Sequence, residues 1–109
     1  TCSSLVGIRH RFANIELEDK SNVYNTDLIQ ALELGAMIYV AGAIAVSALE
    51  RKESRGSHQR LDFEQRDDDN FLKHSLAYYD VSADPRIDYR DVIITRSQPG
   101  ERVYGGKQK

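Results

Sequence analysis

The sequence predicts a small α+β domain, mainly helical, with antiparallel helices around one long central helix and a β-hairpin near the C-terminus. Three observations carry this. Apolar residues recur every three to four positions near the N-terminus. A run of sixteen residues without charge, Leu34 to Leu49, lies inside a longer helical segment. Two segments rich in Tyr, Val and Ile flank a turn-forming stretch further on.

The first element follows from Leu5, Ile8, Phe12 and Ile15, whose spacings place them on one helical face. His10 falls on the other side with Arg9 and Arg11, a solvated face. The loop "DKSNVYNTDL" then starts the central helix. Asn25 is a good N-cap and Asp27 a favourable first-turn charge. Tyr24 and Ile29 stand at the two positions of a hydrophobic staple. The helix is expected over about 26–52, roughly 40 Å at 1.5 Å per residue.

Its middle is apolar all round: Leu34, Met37, Ile38, Val40, Ile44, Val46 and Leu49 circle the cylinder. Such a helix is buried on every side or lies in a membrane. Sixteen uncharged residues fall short of the ~20 that span a bilayer. Many small residues, Gly35, Ala36, Ala41, Gly42, Ala43 and Ala45 among them, suit close helix packing. A central bundle helix is the preferred reading.

The most basic stretch, "RKESRGSHQR" (residues 51–60), follows directly. Arg51 and Lys52 would complement the helix dipole in the last turn, and Gly56 would stop the helix. Asp67 to Asp69 resemble metal ligands in type but lack calcium-loop spacing; the acidic run marks a loop and the start of a short helix. "HSLAYYDV" and "RIDYRDVIIT" give a hairpin over about 75–81 and 86–95, joined by "SADP", where Pro85 pushes Asp84 to extended geometry. A tail follows.

Composition sets limits. The chain of 109 residues suits one small domain, and a net charge of −2 argues against a nucleic-acid partner. The single cysteine, Cys2, allows no internal disulfide, which fits a reducing compartment. The chain opens on Thr1, and its methionine is Met37; it is read as a piece of a longer polypeptide. No dinucleotide, P-loop, Cys/His metal or nucleophile-elbow motif is present. Glu53, Arg55 and His58 could form an acid/base and anion-binding trio, but such trios are common on solvated surfaces.

The ordered motifs "NTDLIQALELG", "RKESRGSHQRLD", "RDDDNFLKHSLAYYD", "RIDYRDVIIT" and "ERVYGG" resemble the C-terminal region of the flavoprotein subunit of bacterial quinol:fumarate reductase. This belongs to the fumarate reductase/succinate dehydrogenase flavoprotein family. The resemblance covers about residues 11–106, and "NFLKH" and "RVYGG" favour fumarate reductase. Ser57 stands where the family often has alanine, and L-aspartate oxidase shares the "ESRG" plus histidine pattern.

The resemblance implies that FAD and the dicarboxylate site lie in upstream domains. It gives this chain no catalytic, cofactor-binding or metal-binding residue; none of His10, His58 and His74 matches a substrate ligand. Residues 1–60 would be a helical bundle segment and 61–109 an extension with short helix, hairpin and tail, together one domain fragment. The parent would be an oxidoreductase of anaerobic electron transport, cytoplasmic and peripheral to the inner face of the plasma membrane. The fragment itself would be inactive. Its implied partners are the FAD-binding domain of the same polypeptide and the iron–sulfur subunit, with no membrane span of its own and no nucleic acid. Arg51, Glu53, Ser54, Arg55, His58 and Arg60 are expected to form an interdomain docking motif. Exposed apolar surface would make the isolated chain self-associate. Two alternatives are the same region of a succinate dehydrogenase, and a free-standing helical module that binds an anion or acidic partner.

Overall fold

The order of elements is α1 (Cys2–Phe12), α2 (Thr26–Glu50), α3 (Asp68–Phe71), β1 (Lys73–Tyr78) and β2 (Arg86–Asp91). The computed structural model describes residues 2–80 and 84–100. Residues 81–83 of the expected first strand and turn, and the tail from 101, lie outside the described residues.

Helix α1 ends at Phe12, so Ile15 lies beyond it. The Asn14 side chain donates to His10 O at 2.9 Å and satisfies a terminal carbonyl. The α1–α2 contact is antiparallel and built on two glycines. A Cβ on Gly35 would meet the Phe12 ring at 2.9 Å, and one on Gly42 would meet the Arg9 guanidinium at 2.7 Å. Arg9 therefore leaves the solvated face expected for it and packs on α2, while His10 and Arg11 stay exposed. Its guanidinium also sits over the Tyr39 ring, 5.7 Å from the centroid, and reaches Asp84 at 3.5 Å. Arg9 thus pins the turn end of the hairpin to both helices.

Helix α2 starts as the sequence predicts. Asn25 accepts from Leu28 N at 2.8 Å. Its amide also donates to Asp19 O and Ser21 O at 2.9 and 3.0 Å, closing the preceding loop. The expected staple does not form. Tyr24 adopts φ 53° and is 95 % exposed, so its ring points away from Ile29. The helix stops two residues early, at Glu50. Arg51 is the C-cap, extended at φ −77° and ψ 104°, with its N–H donating to Ser47 O.

The hairpin is an antiparallel two-stranded sheet with register Lys73↔Asp91 to Tyr78↔Arg86. Both strands differ from expectation for one reason. Lys73 directly follows the cap of α3, so the ladder starts two residues early and runs out opposite Asp91. Val92 to Thr95 have no strand partner and leave the sheet. Edge-to-face rings join the parts: Tyr39 with Tyr79 at 5.1 Å, and Phe71 with Tyr89 at 6.1 Å.

Very little apolar surface is enclosed. Among the described residues Ile38 is the buried hydrophobic side chain, and α2 buries only Gly35, Ile38 and Gly42. Leu32, Met37, Val40 and Ile44 are each more than half exposed. The Cα radius of gyration, 19.3 Å, compares with about 13 Å for a compact chain of this length. By length and composition α2 is long and apolar enough to cross a membrane, a test that core helices of soluble proteins also pass.

Gly35→Val should destabilise the fold by about 1–3 kcal/mol, because the Phe12 ring must move from a packed position. Urea unfolding of the variant checks this. The isolated chain should run above its 12.4 kDa mass in gel filtration with light scattering, because exposed apolar stripes associate. A monomer at high concentration would contradict that.

Candidate functional site at the exit of the central helix

The chain leaves α2 in extended geometry, and in extended backbone alternate residues share a side. Arg51, Glu53 and Arg55 are spaced by two, so their side chains converge. Glu53 is fully enclosed, with 0 % exposure. Arg55 grips its carboxylate with two bonds, Nε to Oε1 at 2.8 Å and Nη2 to Oε2 at 2.9 Å. Arg51 Nη1 donates to Oε1, and Asp67 N–H donates to Oε2 at 2.8 Å. A buried carboxylate is tolerated when its lone pairs are satisfied by charged donors.

Each arginine then reaches another element. Arg51 donates to Phe71 O and Lys73 O, both at 2.8 Å, and so fixes the start of β1. Its guanidinium also lies over the Phe71 ring at 5.6 Å. Arg55 Nη2 reaches Asp68 Oδ1 at 2.6 Å. Asp68 is gripped in turn by Arg66 through Nε and Nη2, at 2.7 and 2.6 Å. Charges alternate along Arg51, Glu53, Arg55, Asp68 and Arg66, which tie the exit of α2 to α3.

The turn below is tight. Arg55 and His58 exchange backbone bonds of 2.8 and 3.0 Å across Gly56 and Ser57. Gly56 has φ +60°, which suits glycine at the first central position of a two-residue hairpin turn. Ser54 is buried: its hydroxyl accepts from Arg60 N and donates to Phe63 O, both at 2.8 Å. Its N–H donates to Gln65 O at 3.1 Å.

Arg60 supplies what Arg51 and Lys52 were expected to supply. No basic residue lies in the last turn of α2. Arg60 Nη1 instead donates to Leu49 O at 2.7 Å, Arg51 O at 3.1 Å and Ala48 O at 3.3 Å. It caps the negative helix end from nine residues downstream of its C-cap. Asp62 holds it with bonds of 2.8 and 2.5 Å, and Phe63 lies under its guanidinium at 4.8 Å.

All six residues singled out by sequence thus meet at this exit. Arg51, Glu53, Ser54, Arg55 and Arg60 bond within the chain. His58 contributes its backbone pair and places Nε2 3.4 Å from Arg51 O. Asp62, Phe63, Arg66, Asp67, Asp68 and Phe71 complete the cluster and carried no such signal. The acidic run does start α3, with Asp67 accepting from Asn70 N at 3.0 Å. Its pairing with Arg55 is long-range and leaves no local pattern. His10 and His74 are exposed; His10 is distant in the chain from the cluster, and His74 directly follows Lys73, whose carbonyl Arg51 holds. No group of three His, Cys, Asp or Glu side chains suited to a metal occurs among the described residues.

The electrostatics follow the bonding. Burial pushes the Glu53 carboxyl up, but the bonds from Arg55, Asp67 N–H and Arg51 outweigh it and hold it below its ordinary 4.5. Arg66 and Arg55 pull Asp68 down to about 2. The Glu53 bond raises Arg55 further, despite burial.

Both carboxylates are lowered in the folded state. They stabilise the fold above their ordinary values of 4.5 and 3.8, and that contribution disappears as pH falls through the folded values. Stability measured by urea unfolding should therefore drop below about pH 4.5, and Glu53→Gln should flatten this acid limb. Glu53→Ala should cost roughly 3–5 kcal/mol at neutral pH, because two guanidiniums lose their buried partner.

The family described as "Fumarate reductase flavoprotein C-term" matches residues 1–104. The fumarate reductase flavoprotein subunit of Haemophilus influenzae is 53 % identical over 100 residues, covering 92 % of this chain and 17 % of the relative. That of Proteus vulgaris is 51 % identical over 109 residues, covering 98 % and 18 %. A succinate dehydrogenase flavoprotein subunit from Rickettsia felis is 38 % identical over 104 residues, covering 89 % and 17 %. A solved quinol fumarate reductase chain of Escherichia coli superposes with a TM-score of 0.89 at 48 % identity, covering 98 % of this chain and 19 % of that one. The chain spans less than a fifth of the length of these relatives. With the helix, clasp and hairpin in place, and with the match across nearly all its length, the chain belongs to the fumarate reductase flavoprotein C-terminal family.

Proposed function

We propose that this chain is the structural C-terminal part of an FAD-dependent fumarate reductase subunit, and that the clasp at residues 51–68 sets how it meets the flavin-bearing part. The carrying observation is the fully enclosed Glu53 with its two arginines. Those guanidiniums are the groups here best suited to a phosphate or carboxylate ligand. They are already bonded to Glu53, Asp68 and backbone carbonyls. Neither guanidinium is open to the dinucleotide, which supports reading FAD as held by the upstream part. The isolated chain is inactive in this reading.

The parent would pass electrons from quinol, through an iron–sulfur subunit, to FAD and then to fumarate. It would sit at the cytoplasmic face of the plasma membrane. Residues 1–60 and 61–109 act together as one fragment, since the clasp joins both. The exposed face of α2 is read as covered by the same polypeptide, and Arg51, Glu53, Ser54, Arg55, His58 and Arg60 as the rigid exit that presents this face. The higher identity to fumarate reductases, 53 % against 38 % for the succinate dehydrogenase, favours the reductase over its oxidative counterpart.

Arg55→Ala in the full-length subunit tests the role. It frees one side of Glu53 and Asp68, so flavin content and assembly with the iron–sulfur subunit should fall severalfold. Arg55→Lys should be milder, because it keeps the charge and loses the fork. Unchanged flavin content and assembly in Arg55→Ala would sink the docking role.

A further inference from the structure

We propose that Tyr24 is an anchor residue, whose ring is held outward by a closed loop and fills an apolar slot on the upstream part of the same polypeptide. This rests on the docking reading above and adds a second contact to it, at the opposite end of α2 from the clasp.

Among the described residues Tyr24 alone of the non-glycines has a positive φ, 53°. That left-handed region disfavours a bulky side chain, whereas glycine and asparagine enter it readily. The residue is also 95 % exposed, so the strained backbone gains the ring no contact within the chain. An extended backbone at this position would let the ring pack on Ile29 as a staple. A residue that only had to close the turn would be glycine or asparagine. Strain with no internal contact to offset it is a mark of functional positions.

The loop is built to keep this arrangement. Ser21 N–H donates to Asp19 Oδ1 at 2.8 Å, and the Ser21 hydroxyl donates to Val23 O at 3.3 Å. The Asn25 amide donates to Asp19 O and Ser21 O, while its oxygen caps α2 through Leu28 N. Asp19 N–H reaches Asp27 Oδ2 at 3.4 Å. The residues on both sides of Tyr24 are thus tied to one another and to the start of α2. A ring on a fixed base loses little freedom when a partner buries it, which suits an aromatic anchor. Val23 beside it is exposed, as are Leu28 and Leu32, one turn apart on α2. Such neighbours would keep water from the rim of the slot.

The slot is placed on the upstream part for two reasons. The matching family is a C-terminal one, and this chain covers less than a fifth of its relatives. A neighbour in the same polypeptide also has a high effective concentration, so it can hold a strained loop permanently.

The test uses the full-length polypeptide. p-Benzoylphenylalanine at position 24, mapped by mass spectrometry, should crosslink to one upstream segment at apolar residues. Crosslinks to another subunit, a second copy or nothing would overturn the anchor. Tyr24→Asn keeps a residue suited to the left-handed turn and removes the ring, so the loop itself should fold as before or better. A solvated tyrosine would leave flavin content and assembly with the iron–sulfur subunit unchanged or raised. The anchor requires that both fall at least threefold. Tyr24→Phe keeps the ring and should stay within twofold; a loss as large as that of Tyr24→Asn would overturn anchoring by the ring. Arg55→Ala separates the two readings. If it lowers flavin content while Tyr24→Asn does not, the anchor falls and the docking reading stands. If neither variant changes flavin content or assembly, both fall.

Discussion

A carboxylate without solvent organises this molecule. Glu53 accepts hydrogen bonds from two guanidiniums and one backbone N–H, at zero exposure. Enclosing an ion carries a desolvation cost of several kcal/mol unless its partners are in place. The partners come from the strap after α2 and from the start of α3, so those segments adopt their positions together or not at all. The strand β1 inherits its starting point from the same condition, because Arg51 holds Lys73 O. The hairpin register follows from where β1 begins.

This explains which features the sequence made legible. The N-cap Asn25, the length of α2 and the two strands are local facts, written in residue types and spacings within a turn or two. The convergence of Arg51, Glu53 and Arg55 was legible as a cluster because its spacing of two is short-range. What the cluster bonds to was not. Asp68 lies thirteen residues beyond Arg55 and Phe71 twenty beyond Arg51, and neither distance leaves a periodic trace. Arg60 is the clearest case. Its charge serves the end of α2, but only a turn at Gly56 returns the chain to that end. The staple failed for a local reason of another kind. Asn25 already closes the loop through its amide, so Tyr24 takes a left-handed conformation that turns its ring outward.

The central helix shows the limits of periodicity. Its apolar residues circle the axis, so no face stands out as the core. The structure resolves this by covering different sectors with different neighbours. Glycines at 35 and 42 admit α1, Tyr39 meets the hairpin through Tyr79, and the remaining sector stays open. With Ile38 as the enclosed hydrophobic side chain, the described chain has polar clasps at full strength and an apolar core that is scarcely begun. That imbalance fits a segment whose hydrophobic burial is completed by a larger body.

The basic stretch after the uncharged run then has a physical reason. An apolar surface binds strongly but with little direction, because dispersion and water release depend on area. A helix apolar on every side could rotate or slide against its neighbours at small cost. Hydrogen bonds to a buried ion are short and angular, and they fix the helix end to a defined place on α3 and β1. Apolar residues of similar volume could match such a cluster in stability, but they would not set the angle at which the chain leaves. Placing the ionic clasp at the last turn lets hydrophobic area supply adhesion along the helix while Arg51, Glu53 and Arg55 supply orientation at its end.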